Sequence, residues 1–232
     1  MSGARHLAIV AARNEADRIG ETVAALAAAL PGVRIVVSDD GSDDDTSLVA
    51  MAAGAEVIAR GRPHGKGGAM TAAADSVAHL AAADDPPIFV VCDGDLAGSA
   101  ATLAGLVAAV ERGETDLAIA AFARKQGGGF GLAVGFARWA IRNLTGLELN
   151  APISGQRAMR AEVLTATLPF AHGFGMEIGM TVDAARAGYR VREIELDLEH
   201  RATGKTLRGF IHRGRQLADF LRVYVSRKLA RR

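Results

Sequence analysis

The sequence predicts an α/β protein with a mostly parallel central sheet and helices on both faces. Short runs rich in branched apolar residues alternate with stretches of helical periodicity, at the spacing expected for βα units. The 232 residues are enough for one such domain, and the 47 alanines favour closely packed helices and strands. Because sheets of this kind bind ligands at the carboxyl ends of their strands, chemistry is expected there.

The first half of the chain alternates strands with helices. Strands are predicted at short runs rich in apolar and β-branched residues: 6–11, 33–38, 55–60, 88–92 and 116–121. Helices are predicted where apolar residues recur at helical spacing: 15–30, 44–53, 67–83 and 99–112. The pattern loosens after residue 121, and the remaining elements are a glycine-rich loop at 124–131, helices at 130–146 and 175–187, and strands at 152–157 and 190–196.

The C-terminal segment, residues 206–232, predicts a basic amphipathic helix. Apolar residues recur at i, i+3 and i+4 spacing from Leu207 to Leu229, with the arginines largely outside that stripe. From residue 201 onward the chain has ten Lys or Arg against one acid, Asp219. Such a helix either docks on an anionic membrane surface or packs against the domain, and the sequence leaves both open. No nucleic-acid partner is expected, because aromatic residues for base stacking are few.

Several classes of protein are excluded by composition. No apolar run reaches the about 18 residues that a membrane span needs, and no secretory signal is expected at the N-terminus. The single cysteine, Cys92, excludes an internal disulfide framework and a thiolate metal cluster. We therefore expect a cytoplasmic protein, with peripheral attachment to the inner face of the membrane as an open alternative.

Acidic residues follow two of the predicted apolar strands. Asp39 and Asp40 come directly after the second strand, and Asp93 and Asp95 come after the fourth. Aspartate is common in turns, so either pair alone would indicate a turn. Two pairs at one edge of a sheet instead indicate a cation or a hydrogen-bonding ligand, because clustered and partly desolvated carboxylates are costly without one.

The spacing of Asp93 and Asp95 suits a single Mg²⁺ or Mn²⁺, which usually shares its coordination with substrate phosphates. Gly94 leaves room for a phosphate or a ribose to approach the backbone. Residues 64–68, His-Gly-Lys-Gly-Gly, open a predicted helix, and their N–H groups together with Lys66 suit an anion. A site for a nucleoside diphosphate is therefore predicted. No G-x-G-x-x-G follows the first strand, which argues against a dinucleotide dehydrogenase.

In order and spacing, these motifs resemble those of the family 2 glycosyltransferases, which have the GT-A fold. The matching segments are Ala-Ala-Arg-Asn-Glu at 11–15, Asp-Asp-Gly-Ser at 39–42, Gly-Lys-Gly at 65–67 and Asp-Gly-Asp at 93–95. The second half is most similar to the dolichol- and polyprenyl-phosphate sugar transferases, through Ile-Ser-Gly-Gln-Arg at 153–157 and Gly-Met-Glu-Ile-Gly at 175–179.

The resemblance implies a domain organisation and a role for each matching donor-site residue. A single GT-A domain would occupy 1–205, with a nucleotide-sugar half at 1–122 and an acceptor half at 123–205, before the helix at 206–232. The nucleoside pocket would be lined by Ala11, Arg13 and Glu15. Asp39 would accept a hydrogen bond from the base, and Lys66 would lie near the pyrophosphate.

The resemblance also implies how the metal is held. Asp93 would contact both ribose and metal, and Asp95 would bind the metal. His200 is the candidate third ligand, because related GT-A enzymes often draw a late histidine to the ion. Its alternative is an ordinary surface or core position.

The acceptor site is less sharply defined by the sequence. Glu177 is predicted either to act as a base or to orient the acceptor; its alternative is a solvated acid in the first turn of a helix. An acceptor phosphate is already ionised at neutral pH and needs no strong base. Candidates to bind it are Arg124, Arg138, Ser154, Arg157 and Arg201.

These residues predict a metal-dependent transferase that moves a sugar from a UDP- or GDP-sugar to a phosphate-bearing acceptor. Asp95, Lys66 and Glu177 form the expected catalytic group, with the ion and Lys66 stabilising the departing diphosphate. Polyprenyl phosphate is the expected acceptor, and a small soluble phosphorylated acid such as a phosphoglycerate is the alternative. A nucleotidyltransferase is a further alternative, although segment 11–15 lacks the glycines that such an enzyme normally has there.

Overall fold

A computed structural model describes residues 5–122, 131–196 and 207–230. In those ranges the strands are β1 His6–Ala12, β2 Arg34–Asp39, β3 Glu56–Ala59, β4 Ile88–Asp93, β5 Leu117–Phe122, β6 Arg157–Met159 and β7 Val191–Leu196. They form one seven-stranded sheet in the order β3-β2-β1-β4-β6-β5-β7. All run parallel except β6, which is antiparallel to both β4 and β5.

Helices cover both faces of this sheet. They are α1 Ile19–Ala29, α2 Thr46–Ala52, α3 Lys66–Val77, α4 Ala104–Glu111, α5 Gly131–Thr145, α6 Ala161–Thr167, α7 Met176–Arg186 and α8 Leu207–Leu229. Alternate side chains of β1 point to opposite faces of the sheet, and each face has its own core. Leu7 and Ile9 pack in a core with α3, α5, α7 and α8. Ala8 and Val10 join a core with α1, α2 and α4. An apolar strand buried on both faces is typical of a parallel sheet.

The predicted fold class is confirmed, and the departures from the predicted elements are local. Residues 152–156 are not a strand, and β6 comprises Arg157–Met159 alone. Before it, the N–H of Ser154 turns back to the carbonyl of Ala151. The helix α6 is absent from the sequence prediction. The predicted helix at 99–112 opens as a 3₁₀ helix, Ala97–Leu103.

The described part of helix α8 packs against the domain. Phe220 is fully buried, and Val223 and Tyr224 are nearly so. The hydroxyl of Tyr224 donates to Asn143 Oδ1 at 3.1 Å. Of the two expectations for the tail, packing on the domain therefore has direct structural support. An outer stripe stays exposed: Leu217, Leu221, Val225 and Leu229.

No helix within the described ranges is long and apolar enough to cross a membrane.

Substitution of Phe220 by Ala should lower the free energy of unfolding by about 3 kcal/mol or more, because a fully buried aromatic ring leaves a cavity in the contact between α8 and the domain. Urea denaturation of the full chain measures the loss. The matched control is Leu221→Ala on the exposed side of the same helix, which should change stability by less than about 0.5 kcal/mol. Equal, small effects at both positions would contradict the packing of α8.

Candidate active site

The carboxyl ends of β1, β2 and β4 meet at one edge of the sheet. The strand register sets Ala11 beside Asp93 and Ala12 beside Asp39. A cleft of about 860 Å³ opens at this edge, lined by the loops that follow these strands, by the start of α3 and by Asp219 of α8. Both predicted pairs of aspartates therefore follow strands that end at the same edge.

The loops after β1 and β2 hold each other in place. Asn14 donates its N–H to Ser42 Oγ at 2.9 Å, and its Oδ1 accepts the N–H of Asp43 at 2.8 Å. The N–H of Glu15 donates to Thr46 Oγ1 at 2.9 Å. These bonds form one wall of the cleft. The residues predicted for the nucleoside pocket all line that cleft: Ala11, Arg13 and Glu15.

The adjacent aspartates Asp39 and Asp40 have different surroundings. Asp40 lines the cleft, and its two carboxylate oxygens accept the N–H groups at 64–65, at 2.7 and 2.8 Å. Asp39 is buried like Asp40 and accepts hydrogen bonds from the hydroxyls of Ser42 and Ser47. It is not among the residues that line the cleft, and its contact with a base stays a prediction. The aspartate of this pair that reaches the cleft is Asp40.

Lys66 joins two carboxylates from distant parts of the chain. Its Nζ lies 2.6 Å from Asp93 Oδ1 and 2.8 Å from Glu177 Oε1. The side chains of Lys66 and Glu177 are only 20% and 7% exposed, so Glu177 is not a solvated surface acid. Burial alone would lower the pKa of Lys66, but the two carboxylates raise it above its ordinary value. Lys66 is therefore a fixed positive charge in the cleft.

The second oxygen of Asp93 is held by the residue that directly precedes β6. Gln156 Nε2 donates to Asp93 Oδ2 at 2.9 Å, and Gln156 Oε1 accepts the hydroxyl of Ser154 at 3.1 Å. Gly155 makes this approach possible, since a Cβ there would lie 2.6 Å from Asp93 Oδ2 and 2.7 Å from Lys66 Nζ. Ser154, predicted to bind the acceptor, is itself buried and supports this chain of hydrogen bonds.

Arg157 lies behind the site rather than in it. The side chain is fully buried, and it donates to Thr181 Oγ1 at 2.9 Å and to the carbonyl of Ser154 at 3.0 Å. Burial lowers the pKa of Arg157 to about 10, although the nearby Glu177 raises it. With no exposed surface, Arg157 does not fit the predicted role of binding an acceptor phosphate. Instead it connects β6 to α7, the helix that carries Glu177.

The other predicted acceptor and metal residues lie elsewhere. Arg138 is exposed on α5, donates to the carbonyl of Asn150 at 2.6 Å and is outside the cleft lining. Three predicted residues lie outside the described ranges: Arg124, His200 and Arg201.

Sequence reasoning missed the contribution of α8 to the cleft. Asp219 Oδ2 accepts the N–H of Phe174 at 3.2 Å, and both residues line the cleft. A Cβ on Gly173 would lie 2.1 Å from Asp219 Oδ2, so this contact is close. The signal available in the sequence was that Asp219 is the one acid in a strongly basic tail.

The donor set fits a hard divalent ion shared with a ligand. Asp93, Gly94 and Asp95 all line the cleft. Within the described parts of the chain, no group of three or more His, Cys, Asp or Glu side chains could hold a metal by itself. Mg²⁺ is commonly held by one or two carboxylates and completed by substrate phosphates, so Asp93 and Asp95 are compatible with such an ion.

Residues 7–166 match the family model for glycosyl transferase family 2, and the chain belongs to this family. It is 33% identical over 195 residues to an uncharacterised glycosyltransferase of Mycobacterium tuberculosis, covering 80% of this chain and 83% of the relative. It is 30% identical over 194 residues to the glucosyl-3-phosphoglycerate synthase of Mycolicibacterium paratuberculosis, covering 75% of this chain. The chain spans 58% of that synthase.

Solved structures of a glucosyl-3-phosphoglycerate synthase are also similar to this chain. The crystal structure of the M. tuberculosis glucosyl-3-phosphoglycerate synthase with Mn²⁺, UDP and glucosyl-3-phosphoglycerate matches with a TM-score of 0.74 and 28% identity, covering 97% of this chain and 80% of that one. The same enzyme is also known with Mg²⁺ and UDP. These relatives correct the resemblance of the second half to dolichol- and polyprenyl-phosphate sugar transferases.

Replacing Lys66 by Met should destabilise the protein, because Asp93 and Glu177 would lose the cation they share. We expect a loss on the order of 3 kcal/mol, as when one partner of a buried ion pair is removed. The pKa of Lys66 is raised on folding, so its contribution is complete below its unfolded pKa near 10.5. The loss should therefore be constant from pH 7 to 9, as measured by urea denaturation.

The control for this substitution is Arg142→Met, which removes an ion pair to Glu148 whose two side chains are 70% and 72% exposed. It should have little effect on stability. A contribution of Lys66 that declines steadily between pH 7 and 9 would be inconsistent with its placement between two carboxylates.

Proposed function

We propose that the protein transfers glucose from UDP-glucose to a small soluble phosphorylated acid of the phosphoglycerate type, in a reaction that depends on Mg²⁺ or Mn²⁺. One observation supports the part of this proposal that concerns the nucleotide-sugar donor. Lys66, Asp93 and Asp95 meet in a cleft at the carboxyl ends of β1 and β4, next to the wall formed by residues 11–15.

Charge explains why a metal ion is needed. The described residues of the cleft carry more carboxylates than cations: Glu15, Asp40, Asp93, Asp95 and Asp219 against Arg13 and Lys66. A diphosphate entering alone would be repelled. A divalent ion held by Asp93 and Asp95 would reverse this balance and would stabilise the negative charge on the departing diphosphate. Lys66 would supply the second fixed positive charge to the leaving group.

Glu177 is better suited to positioning than to removing a proton. Its Oε1 accepts a hydrogen bond from Lys66, and the side chain is almost fully buried. The hydroxyl of Thr181 donates to the backbone carbonyl of Glu177 at 2.9 Å and also accepts from Arg157. We therefore assign Glu177 the role of orienting Lys66 toward the diphosphate.

The relatives favour a soluble acceptor over polyprenyl phosphate. Solved structures of the M. tuberculosis synthase contain phosphoglyceric acid together with UDP-glucose, or glycerol 3-phosphate together with UDP-glucose. In this chain the buried face of α8, with Phe220 at its centre, supports the domain rather than a membrane contact. Arg124 and Arg201 stay candidates for the acceptor phosphate, and His200 stays the candidate third metal ligand.

An acceptor panel tests the proposal. The purified protein is incubated with UDP-glucose and Mn²⁺ together with 3-phosphoglycerate, glycerol 3-phosphate or detergent-dispersed polyprenyl phosphate. We expect acceptor-dependent release of UDP with the first or second acceptor, and a glucosylated product of the corresponding mass. Release of UDP only with polyprenyl phosphate would overturn the acceptor class. In a parallel incubation with UTP and glucose 1-phosphate, release of pyrophosphate with formation of UDP-glucose would indicate a nucleotidyltransferase.

Substitution of Asp95 by Asn should weaken Mn²⁺-dependent binding of UDP by about tenfold or more, because a charged ligand to the ion becomes neutral. Calorimetric titration of UDP with and without Mn²⁺ measures the effect, and metal-free binding should not become weaker. Asp75→Asn, at a position outside the cleft, is the matched control. Equal affinity of the Asp95 variant and the parent for UDP in Mn²⁺ would remove Asp95 from the metal site.

A further inference from the structure

We propose that Thr22 is a positioning residue for the loop that carries Asp95, and that its hydroxyl sets the affinity of the cleft for the divalent ion. This inference rests on the proposed metal-dependent function. Thr22 lies on α1, outside the cleft lining, and is fully buried. It contains no ionisable group, so its influence on the ion would act through the geometry of the loop alone.

One hydroxyl bridges the two sides of Asp95. Thr22 Oγ1 donates to the carbonyl of Gly94 at 2.8 Å and accepts the N–H of Ala97 at 2.8 Å. The two bonds close a small ring around residues 94–97, with Asp95 inside it. A side chain that both donates and accepts is required here, and among similarly shaped residues only a hydroxyl meets that need.

The backbone of this loop is held in an unfavourable conformation. Ala97 has a φ of +47°, which residues with a Cβ rarely adopt. The N–H of Ala97 donates to Thr22 Oγ1. The hydroxyl therefore stabilises the residue of the loop that has this unfavourable backbone conformation. Gly94 is fixed from the other side, because its N–H donates to the carbonyl of Ala11 on β1 at 2.8 Å.

Arg18, the residue that directly precedes α1, supports the same loop. Arg18 Nη1 donates to the backbone carbonyl of Asp95 at 3.1 Å. Arg18 and Thr22 are four residues apart, so both lie on the face of the helix that meets the loop. Together they bond to the carbonyls of Gly94 and Asp95 and to the N–H of Ala97. The backbone that carries Asp95 is thus held by these two residues.

Metal affinity depends on the residues that hold the metal ligands in position as well as on the ligands themselves. Residues that hold a metal ligand in position typically change metal affinity by about 10- to 100-fold when they are replaced. Here the ion would have few protein ligands, so a small displacement of Asp95 has a large relative effect. Thr22 should accordingly affect the binding of the ion more than the binding of the nucleotide in the absence of metal.

The test compares Thr22→Val, which keeps the shape but loses the hydroxyl, with Thr22→Ser, which keeps the hydroxyl. Mn²⁺ binding to the full chain in the presence of UDP is measured by electron paramagnetic resonance, and metal-free UDP binding by calorimetry. We expect the Val variant to bind Mn²⁺ about tenfold more weakly and the Ser variant to stay within about threefold of the parent. Metal-free UDP affinity should be unchanged in both.

Three outcomes would overturn the role of Thr22: Mn²⁺ affinity of the Val variant equal to the parent, equal weakening in the Val and Ser variants, or an equal loss of metal-free UDP binding. If the Val variant does not fold, Thr22→Ala decides, because it also lacks the hydroxyl that bonds to Gly94 and Ala97. Mn²⁺ affinity of the Ala variant equal to that of the parent would then overturn the proposal. Failure of the parent protein itself to bind Mn²⁺ with UDP would instead refute the metal-dependent function, and the role of Thr22 with it.

Discussion

The site depends on one interaction, the placement of the Lys66 ammonium between Asp93 and Glu177. The three residues come from α3, β4 and α7, and the distances of 2.6 and 2.8 Å require all three elements to be in place at once. Lys66 is the member on which the group depends, because without it two partly buried carboxylates would lie close together with no cation between them. The fold and the chemistry of the cleft are therefore coupled through this group.

Close backbone approach is the structural condition for that interaction. A Cβ on Gly67 would lie 1.9 Å from the carbonyl of Ala171, so the start of α3 can meet the segment before α7 only at a glycine. Gly155 has the same role between β6 and Asp93. From sequence, the glycine-rich motif at 64–68 indicates a cradle for an anion. In the structure, Gly67 is also required for a steric reason, because it allows the close approach that places Lys66 beside Glu177.

Strand direction made part of the site predictable from the sequence. Parallel strands end at a common edge, so the aspartates after β2 and β4 were expected at that edge. The register sets Asp39 and Asp93 on the two sides of β1, beside Ala12 and Ala11. The sequence did not predict which aspartate of a pair faces the cleft, because Asp39 is turned away by hydroxyls of its own loop. Nor did it predict the burial of Arg157, which depends on the reversed direction of β6 and on contact with α7.

One basic residue of the tail, Arg227, forms an ion pair with the domain. The first 200 residues have 17 Lys or Arg against 25 Asp or Glu, whereas the last 32 have ten against one. That asymmetry suggests an anionic membrane as partner, but a basic helix and an acidic domain also attract each other. Arg227 pairs with Asp183 of α7 at 2.6 Å, and Asp219 bonds the N–H of Phe174 at the cleft. Asp219, the one acid of the tail, thus lines the cleft, and Arg227 holds the helix against α7. Helix α8 therefore forms part of the cleft wall.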